Sequence, residues 1–256
     1  MRGWIELLFP PKCAACGELL PWDGEEKNAL CPSCRQEWER EKRSVCAICS
    51  RELPRCECMT SEMKKAGCAT FCKLVYYRQG DGISVPNRMI YHLKRERDRR
   101  ASAFAAHEMA VPLRAWLERE EVEQTQTLLC YLPRSSASRL QYGTDQAREL
   151  AYALGKELSL SVMPFLKRTC GGSAQKRLNF QKRLQNAKKS YRIREDTDIE
   201  GKTVLLVDDV VTSGASMAVG ARLLRRKGAA KVICVALATD DVHRNGDGAS
   251  LPRDFQ

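Results

Sequence analysis

Apolar residues recur along this chain in two spacings, and each spacing predicts a different kind of element. Short apolar runs bounded by turn residues are typical of strands buried on both faces, and they occupy residues 71–77, 128–132, 204–207 and 231–239. Apolar positions three or four residues apart are typical of helices that bury one face, and they occupy residues 88–121, 146–158 and 217–227. Pro112 is expected to kink or split the first of these helices. The alternation predicts an α/β domain built on a parallel sheet.

The N-terminal part has a different pattern, with few large apolar side chains and four close pairs of cysteines. The pairs are Cys13-x-x-Cys16, Cys31-x-x-Cys34, Cys46-x-x-Cys49 and Cys56-x-Cys58. Two such pairs complete a tetrahedral zinc site that leaves no open coordination position. We therefore predict a small double zinc-ribbon domain over residues 1–73, in which zinc is structural, an α/β domain over 74–240 and a polar tail over 241–256.

The ligands of the first zinc site are better defined by spacing than those of the second. Cys46, Cys49, Cys56 and Cys58 are separated by a short loop, and one pair has a single-residue spacer. Cys68 and Cys72 could replace the last two ligands. The two clusters could also exchange pairs, or the thiols could be free on the surface.

The stretch around residues 204–216 is the strongest chemical signal in the α/β domain. Asp208 and Asp209 follow an apolar run, and a turn of small and hydroxyl residues then precedes a helix: Thr212, Ser213, Gly214, Ala215 and Ser216. Such a turn below a helix N-terminus is typical of a phosphate site at the carboxyl end of a strand. The turn lacks both GxxxxGK[ST] and GxGxxG, which excludes a P-loop and a dinucleotide fingerprint. The alternative is a solvated acidic turn.

A second candidate anion site lies one strand–helix unit upstream. Pro133, Arg134 and Ser135 follow the apolar run at 128–132. A guanidinium group supplies positive charge, and a hydroxyl and backbone N–H groups can donate to phosphate oxygens. The position of Arg134 and Ser135 relative to the acidic pair favours this interpretation.

Positive charge is concentrated in one segment. The formal net charge is +11, and residues 167–194 contain ten Lys or Arg residues and no Asp or Glu. Its candidate functional side chains are Gln175, Lys176, Arg177, Lys182, Arg183, Asn186, Lys188 and Lys189. The segment is either a solvated charge block or a flexible loop that binds anions. Such a loop could close over pyrophosphate or follow a nucleic-acid backbone, with help from the basic stretch at 94–100.

Cysteine usage bears on the compartment. The count of 13 is odd, and no secretory leader is recognisable, which argues against a disulfide framework. We expect a reducing, cytoplasmic setting in which clustered thiols bind metal. No apolar run approaches membrane-spanning length, so we expect no membrane insertion.

The stretch 204–216 resembles the motif by which type I phosphoribosyltransferases bind 5-phosphoribosyl 1-pyrophosphate (PRPP). The whole order resembles the ComF family of competence-associated proteins, which are phosphoribosyltransferase-like. The pieces are the cysteine ribbon, a helix ending near His92-Leu93-Lys94, Pro133-Arg134-Ser135, YGTDQA at 142–147, residues 175–186 and VDDVVTSGAS at 207–216. Thr144 departs from the family, which usually carries an aromatic residue there.

The resemblance implies roles for these residues. Asp208 and Asp209 would hold the ribose hydroxyls, the turn 212–216 the 5-phosphate, and Arg134 with Ser135 the pyrophosphate, with Mg²⁺ accompanying PRPP. The basic segment matches the mobile active-site loop of phosphoribosyltransferases. The resemblance also implies a role in the uptake of single-stranded transforming DNA, beside a competence helicase.

Three functions from different classes therefore remain open at the level of sequence. The protein could be a PRPP-liganded DNA-handling protein, a phosphoribosyltransferase acting on an unidentified acceptor, or a scaffold that keeps the fold without either activity. Retention of both acids disfavours the scaffold. The acids do not separate the first two functions.

Overall fold

The computed structural model describes residues 10–20, 28–78, 83–96, 98–134, 143, 145–169, 190–196 and 198–240. The named strands in these residues are β1 (Cys68–Tyr77), β2 (Thr127–Tyr131), β3 (Leu166–Arg168), β4 (Tyr191–Ile193), β5 (Thr203–Val211) and β6 (Lys231–Asp240). The main sheet is fully parallel with strand order β1-β6-β5-β2. β3 and β4 form a separate antiparallel pair. The predicted α/β fold with a parallel sheet is confirmed, and its strands share one carboxyl edge.

Helices cover both faces of this sheet. They are α1 (Pro32–Lys42), α2 (Ser61–Lys65), α3 (Val85–Arg95), α4 (Arg99–Arg119), α5 (Gln146–Leu158) and α6 (Ala215–Arg226), with 3₁₀ turns at Leu53–Arg55 and Gln124–Gln126. Successive strand residues point to opposite faces. Leu205 and Val207 accordingly pack in the core that contains α3, α4 and α5, whereas Val204 and Leu206 pack in the core that contains α6 and Met63 of α2.

The predicted helix over 88–121 is two helices, and the break is not at Pro112. α4 runs through Pro112, where buried Met109 and Leu113 hold both sides of the proline against the core. The chain is extended at Glu96 and Asp98. The Asp98 side chain caps α4 by accepting from the backbone N–H groups of Arg100 and Ala101, which explains why the second helix begins there.

The N-terminal ribbon is joined to the α/β domain by a buried carboxylate. Glu108 of α4 accepts hydrogen bonds from Arg35 at 3.1 Å, Trp38 at 3.0 Å and Lys42 at 2.5 Å, all on α1. Burial alone would raise the pKa of Glu108, but Lys42 and Trp38 lower it. The side chain is therefore held as a carboxylate, and α1 is fixed on α4.

The predicted boundary between residues 73 and 74 falls within β1, and it stays a prediction. The predicted tail at 241–256 lies outside the described residues. In the part of the chain that the structure describes, no helix combines the length and apolarity that crossing a membrane requires.

Candidate functional site

The acidic pair lies inside β5, near its carboxyl end. Asp208 pairs with Ala236 of β6, and the strand continues to Val211, so it is longer than the predicted run of 204–207. The Asp208 carboxylate accepts the backbone N–H of Asp209 at 2.9 Å, and the Asp209 carboxylate accepts that of Val210 at 3.0 Å. Both side chains are thus oriented by their own backbone at the edge where parallel sheets bind ligands.

The two carboxyl groups have opposite electrostatic environments. Burial and the neighbouring charge of Asp209 raise the pKa of Asp208 well above its usual range. Burial also acts to raise the pKa of Asp209, but the positive charges of Lys94 and Arg134 outweigh burial and lower it. Asp208 is therefore the more readily protonated partner of the two.

Arg134 reaches the acidic pair from the loop after β2. Its guanidinium donates to Asp209 Oδ2 at 3.1 Å, and its backbone N–H donates to Asp145 Oδ2 at 3.1 Å. Asp145 also caps α5. The predicted anion-binding arginine is thus beside the acids, whereas Ser135 lies outside the described residues.

A turn of small residues leads from β5 into a helix, as predicted, but α6 begins at Ala215 rather than at Met217, so Ala215 and Ser216 belong to the helix. Gly214 is the N-cap and has a left-handed backbone with φ +71°, and the helix starts at Ala215. The first N–H groups of a helix have no helical acceptor and can donate to an anion. Burial raises the pKa of Tyr191 in β4, and the side chain of Ser216 is one of the neighbouring groups that lower it, so the two side chains lie close together. Thr212 and Ser213, which precede the glycine, are half-buried.

The back of this turn is formed by the chain that follows the second cysteine cluster. A Cβ added to Gly214 would lie 2.8 Å from Thr60 Oγ1 and 2.9 Å from Met63 Sδ. Met63 is fully buried, and Thr60 caps α2 through the backbone N–H of Met63. Glycine is therefore needed at position 214 for packing on the ribbon side as well as for its backbone conformation.

The predicted basic loop is described only at its two ends. Residues Gln175, Lys176, Arg177, Lys182, Arg183, Asn186, Lys188 and Lys189 lie outside the described residues. The ends form the β3–β4 pair, which carries exposed Lys167, Arg168 and Arg192. Arg168 packs over the Tyr191 ring at 5.2 Å. Because β4 packs against α6, the segment starts and ends beside the turn.

The first cysteine cluster has the geometry of a zinc site. The thiols of Cys13, Cys16, Cys31 and Cys34 lie within 4.8 Å of one another. Zn–S bonds of about 2.3 Å place tetrahedral sulfur ligands roughly 3.8 Å apart, so the four thiols fit one zinc ion. Gly17 has φ +79°, as the tight turn after the first pair requires.

The second cluster consists of Cys46, Cys49, Cys56 and Cys58, whose thiols also lie within 4.8 Å of one another. This grouping agrees with the predicted ligands and not with the alternative that uses Cys68 and Cys72. The Cys68 thiol instead lies 3.3 Å from that of Cys234.

Lys73 of β1 attaches the second cluster to the main sheet. This buried side chain donates to the carbonyl groups of Cys56 at 3.0 Å and Cys58 at 2.8 Å. The sequence gives no indication of this role, because it requires β1 to pass directly beneath the cysteine loop.

Lys94 and Gln146 are two further site residues whose place sequence reasoning missed. Lys94 Nζ lies 3.8 Å from Asp209 Oδ2, although its sequence context suggests only a basic stretch that helps to bind DNA. Gln146 donates to the carbonyl groups of Leu93 and Lys94. The only available signal for Gln146 was its place in the YGTDQA segment.

Two domain families match this chain. The family described as "Phosphoribosyl transferase domain" matches residues 147–252, and the family described as "Double zinc ribbon domain" matches residues 4–73. The first match includes the acidic pair and the turn, and the second includes all eight cysteines of the two clusters. The chain is therefore a double zinc ribbon joined to a phosphoribosyltransferase-type α/β domain, and its cysteine clusters are sites for structural zinc.

Individual relatives match either over a short stretch or at low sequence identity. A ribose-phosphate pyrophosphokinase of Parasynechococcus marenigrum is 46% identical over 39 residues, which is 15% of this chain and 12% of that protein. The chain thus spans about an eighth of the length of this curated relative. TT1426 from Thermus thermophilus is 17% identical with a TM-score of 0.34, over 60% of this chain and 85% of that one. A purine phosphoribosyltransferase from Pyrococcus horikoshii is 16% identical with a TM-score of 0.32, and the match covers 58% of this chain and 80% of that one.

Proposed function

We propose that this protein binds PRPP with Mg²⁺ at the carboxyl ends of β2 and β5 and transfers its phosphoribosyl group to an acceptor. The observation that carries the proposal is the arrangement of Asp208 and Asp209, which lie between Arg134 and the turn that opens α6. Carboxylates accept from ribose hydroxyls, and a helix N-terminus and a guanidinium both bind phosphate groups. The site thus offers partners for all three parts of PRPP.

The reaction would exchange one bond at the anomeric carbon. A nucleophilic atom of the acceptor forms a bond to C1, the C1–O bond to diphosphate breaks, and diphosphate leaves with the electron pair while the acceptor loses its proton to solvent. The carboxylates would orient the ribose as positive charge develops at C1, and Arg134 would stabilise the leaving diphosphate. Mg²⁺ would neutralise part of the diphosphate charge.

Calorimetry with PRPP and Mg²⁺ tests this proposal. Replacing both acids, Asp208→Asn with Asp209→Asn, should abolish measurable binding and leave the thermal unfolding transition in place. Glu195→Gln with Asp196→Asn removes the same charge at exposed positions and should bind like the parent. Parent-like affinity of the Asp208/Asp209 variant would show that the acids are not ribose ligands. Binding without turnover on any acceptor would favour the PRPP-liganded DNA-handling protein over the transferase.

A second candidate function is the handling of single-stranded DNA. It is favoured by the exposed cations of the β3–β4 pair, which frame the basic segment next to the PRPP site. The order of double zinc ribbon and phosphoribosyltransferase domain is consistent with ComF architecture. On this proposal the protein acts in the cytoplasm in the uptake of transforming DNA, and a competence helicase is a candidate partner.

Anisotropy titrations with a labelled oligonucleotide at two salt concentrations test the DNA proposal. Lys167→Gln with Arg192→Gln should weaken binding and reduce the salt slope by about 0.7 for each phosphate group that is no longer neutralised. Arg226→Gln with Lys227→Gln removes equal exposed charge at the end of α6 and serves as the matched control. Equal effects of the two variants would show only non-specific attraction. Absence of binding at low salt would exclude DNA as a direct ligand.

A further inference from the structure

Two cations converge on a single carboxylate oxygen in the candidate site. Arg134 Nη2 lies 3.1 Å and Lys94 Nζ 3.8 Å from Asp209 Oδ2. Asp209 thus has two cations within 4 Å of one oxygen. Positive charge gathered at one point of the site favours the attraction of an anionic group.

Lys94 lies in the last turn of α3, which positions it beside Asp209. The last carbonyl groups of a helix have no helical donor. Here the side chain of Gln146, at the start of α5, donates to the carbonyl oxygens of Leu93 at 3.2 Å and Lys94 at 3.3 Å. Gln146 is 1% exposed, so these bonds are shielded from water and hold α3 in one position.

The residue before Gln146 holds the other cation. Asp145 accepts the backbone N–H of Arg134 at 3.1 Å while it caps α5. Asp145 thus holds the backbone of Arg134, and the adjacent Gln146 holds the backbone of Lys94. Both cations reach the same oxygen, Asp209 Oδ2, from different parts of the chain. This arrangement gives a physical reason for the Asp-Gln pair that a helix cap alone does not require.

An aromatic ring limits where the Lys94 side chain can go. Its Nζ lies 5.5 Å from the ring centroid of Tyr77, the last residue of β1. The Tyr77 hydroxyl shares a hydrogen bond with that of Tyr91 at 3.2 Å. The ammonium group is therefore held between a carboxylate and an aromatic face.

We propose that Lys94 binds the diphosphate of PRPP and that Gln146 is its positioning residue. The inference rests on the proposed PRPP-binding function. In the free protein Lys94 and Arg134 pair with Asp209. When the ribose hydroxyls occupy Asp209, both cations turn to the diphosphate oxygens. Lys94 thereby contributes to the PRPP site from α3, which precedes the matched phosphoribosyltransferase segment 147–252.

Calorimetry with three ligands in the presence of Mg²⁺ tests Lys94. Lys94→Gln should weaken PRPP and inorganic diphosphate by roughly tenfold or more, the usual loss for a charge-assisted contact. Ribose 5-phosphate, which lacks the diphosphate, should bind with unchanged affinity. Lys94→Arg should keep most of the PRPP affinity. Arg95→Gln removes the same charge from the next, exposed residue and should leave all three affinities within twofold of the parent.

Gln146→Met tests the positioning role, because it keeps the side-chain length and removes the donor. It should weaken diphosphate binding and leave the affinity for ribose 5-phosphate unchanged. In combination with Lys94→Gln it should cause little further loss of diphosphate affinity. If Gln146 had a purely structural role, Gln146→Met would weaken the binding of all three ligands, or its loss of affinity would add fully to that of Lys94→Gln. Either result would overturn the assignment.

The outcomes separate this inference from the proposed function. If the parent binds neither PRPP nor ribose 5-phosphate, the proposed function fails and the inference with it. If the parent binds both and Lys94→Gln binds PRPP equally well, only the inference is wrong. Thermal unfolding of each variant identifies any loss of fold, and Lys94→Met provides a second uncharged side chain.

Discussion

The two zinc clusters begin with the same loop but end on different parts of the molecule. In the first, Gly17 N–H bonds Cys13 O at 2.9 Å, and in the second, Ser50 N–H bonds Cys46 O at 2.8 Å. The second halves differ. Cys31 and Cys34 lie at the start of α1, whereas Cys56 is extended and follows a 3₁₀ turn.

This difference decides what each cluster supports. The first cluster supports α1, which is fixed on α4 through Glu108. The second is attached to β1 through Lys73, and the chain leaving it packs behind Gly214. Similar metal sites therefore have different neighbours, and we expect only the second to influence the PRPP site.

The largest expected effect comes from placing a side chain at Gly214, where the turn packs against Thr60 and Met63. Gly214→Val should abolish PRPP binding, because the new side chain collides with Thr60 and Met63 at a left-handed backbone position. Gly201→Val is the matched control, since Gly201 has φ +70° and open space around its Cβ position. Each variant carries roughly 1–3 kcal/mol of backbone strain. Calorimetry should find PRPP binding lost only in the first, and equal losses would point to strain alone.

Removing one zinc ligand from each cluster should separate their roles. We expect two zinc ions per chain by elemental analysis, one for each thiol cluster, and one ion after either Cys16→Ser or Cys58→Ser. Cys58→Ser should weaken PRPP binding by about tenfold, or about 1.4 kcal/mol, because α2 loses its support. Cys16→Ser should change the affinity less than twofold. Equal PRPP affinities in the two variants would contradict the difference between the clusters.

Glu108→Gln should destabilise the protein without changing PRPP binding. The variant leaves Arg35 and Lys42 of α1 without their buried anionic partner. We expect a loss of about 3 kcal/mol in the free energy of unfolding. Denaturant unfolding measures the loss. The surface ion pair of half-buried Glu62 with exposed Lys65 gives the control, Glu62→Gln, for which we expect less than about 1 kcal/mol. Weaker PRPP binding by Glu108→Gln would show that the first cluster also supports the site.

The smallest effect concerns the left-handed backbone position that follows the first cysteine pair of each cluster. Ser50 has φ +54° and Gly17 has φ +79°, and a left-handed backbone favours glycine by about 1 kcal/mol. Ser50→Gly should therefore stabilise the protein by about that amount, and Gly17→Ser should destabilise it similarly. Thermal unfolding measures both. A loss of stability in Ser50→Gly would show that the serine side chain has a role of its own.

Local patterns were sufficient to predict much of the fold. The run at 204–207, the helix at 146–158 and both cysteine clusters were predicted because each depends on neighbouring residues in the sequence. The break before α4 was missed because Asp98 acts as a cap, whereas Pro112 is the more conspicuous helix breaker.

Contacts between distant segments could not be predicted in the same way. Lys94 meets Asp209 where Gln146 bonds the end of α3, and Met63 lies against Gly214 where α2 packs beside α6. Lys94 and Met63 are ordinary residues for the helices that contain them. Their contacts depend on the order in which the strands assemble, which hydrophobic periodicity does not specify.

That strand order also constrains how the chain can fold during synthesis. Among the described strands of the main sheet, β1 is the first to be made, and its partner is β6, the last of them in chain order. β6 also lies between β1 and β5. Until residues 231–240 leave the ribosome, β1 and β5 lack the strand that joins them. The cysteine clusters can bind metal long before this, so the ribbon is complete while the sheet still lacks its central strand.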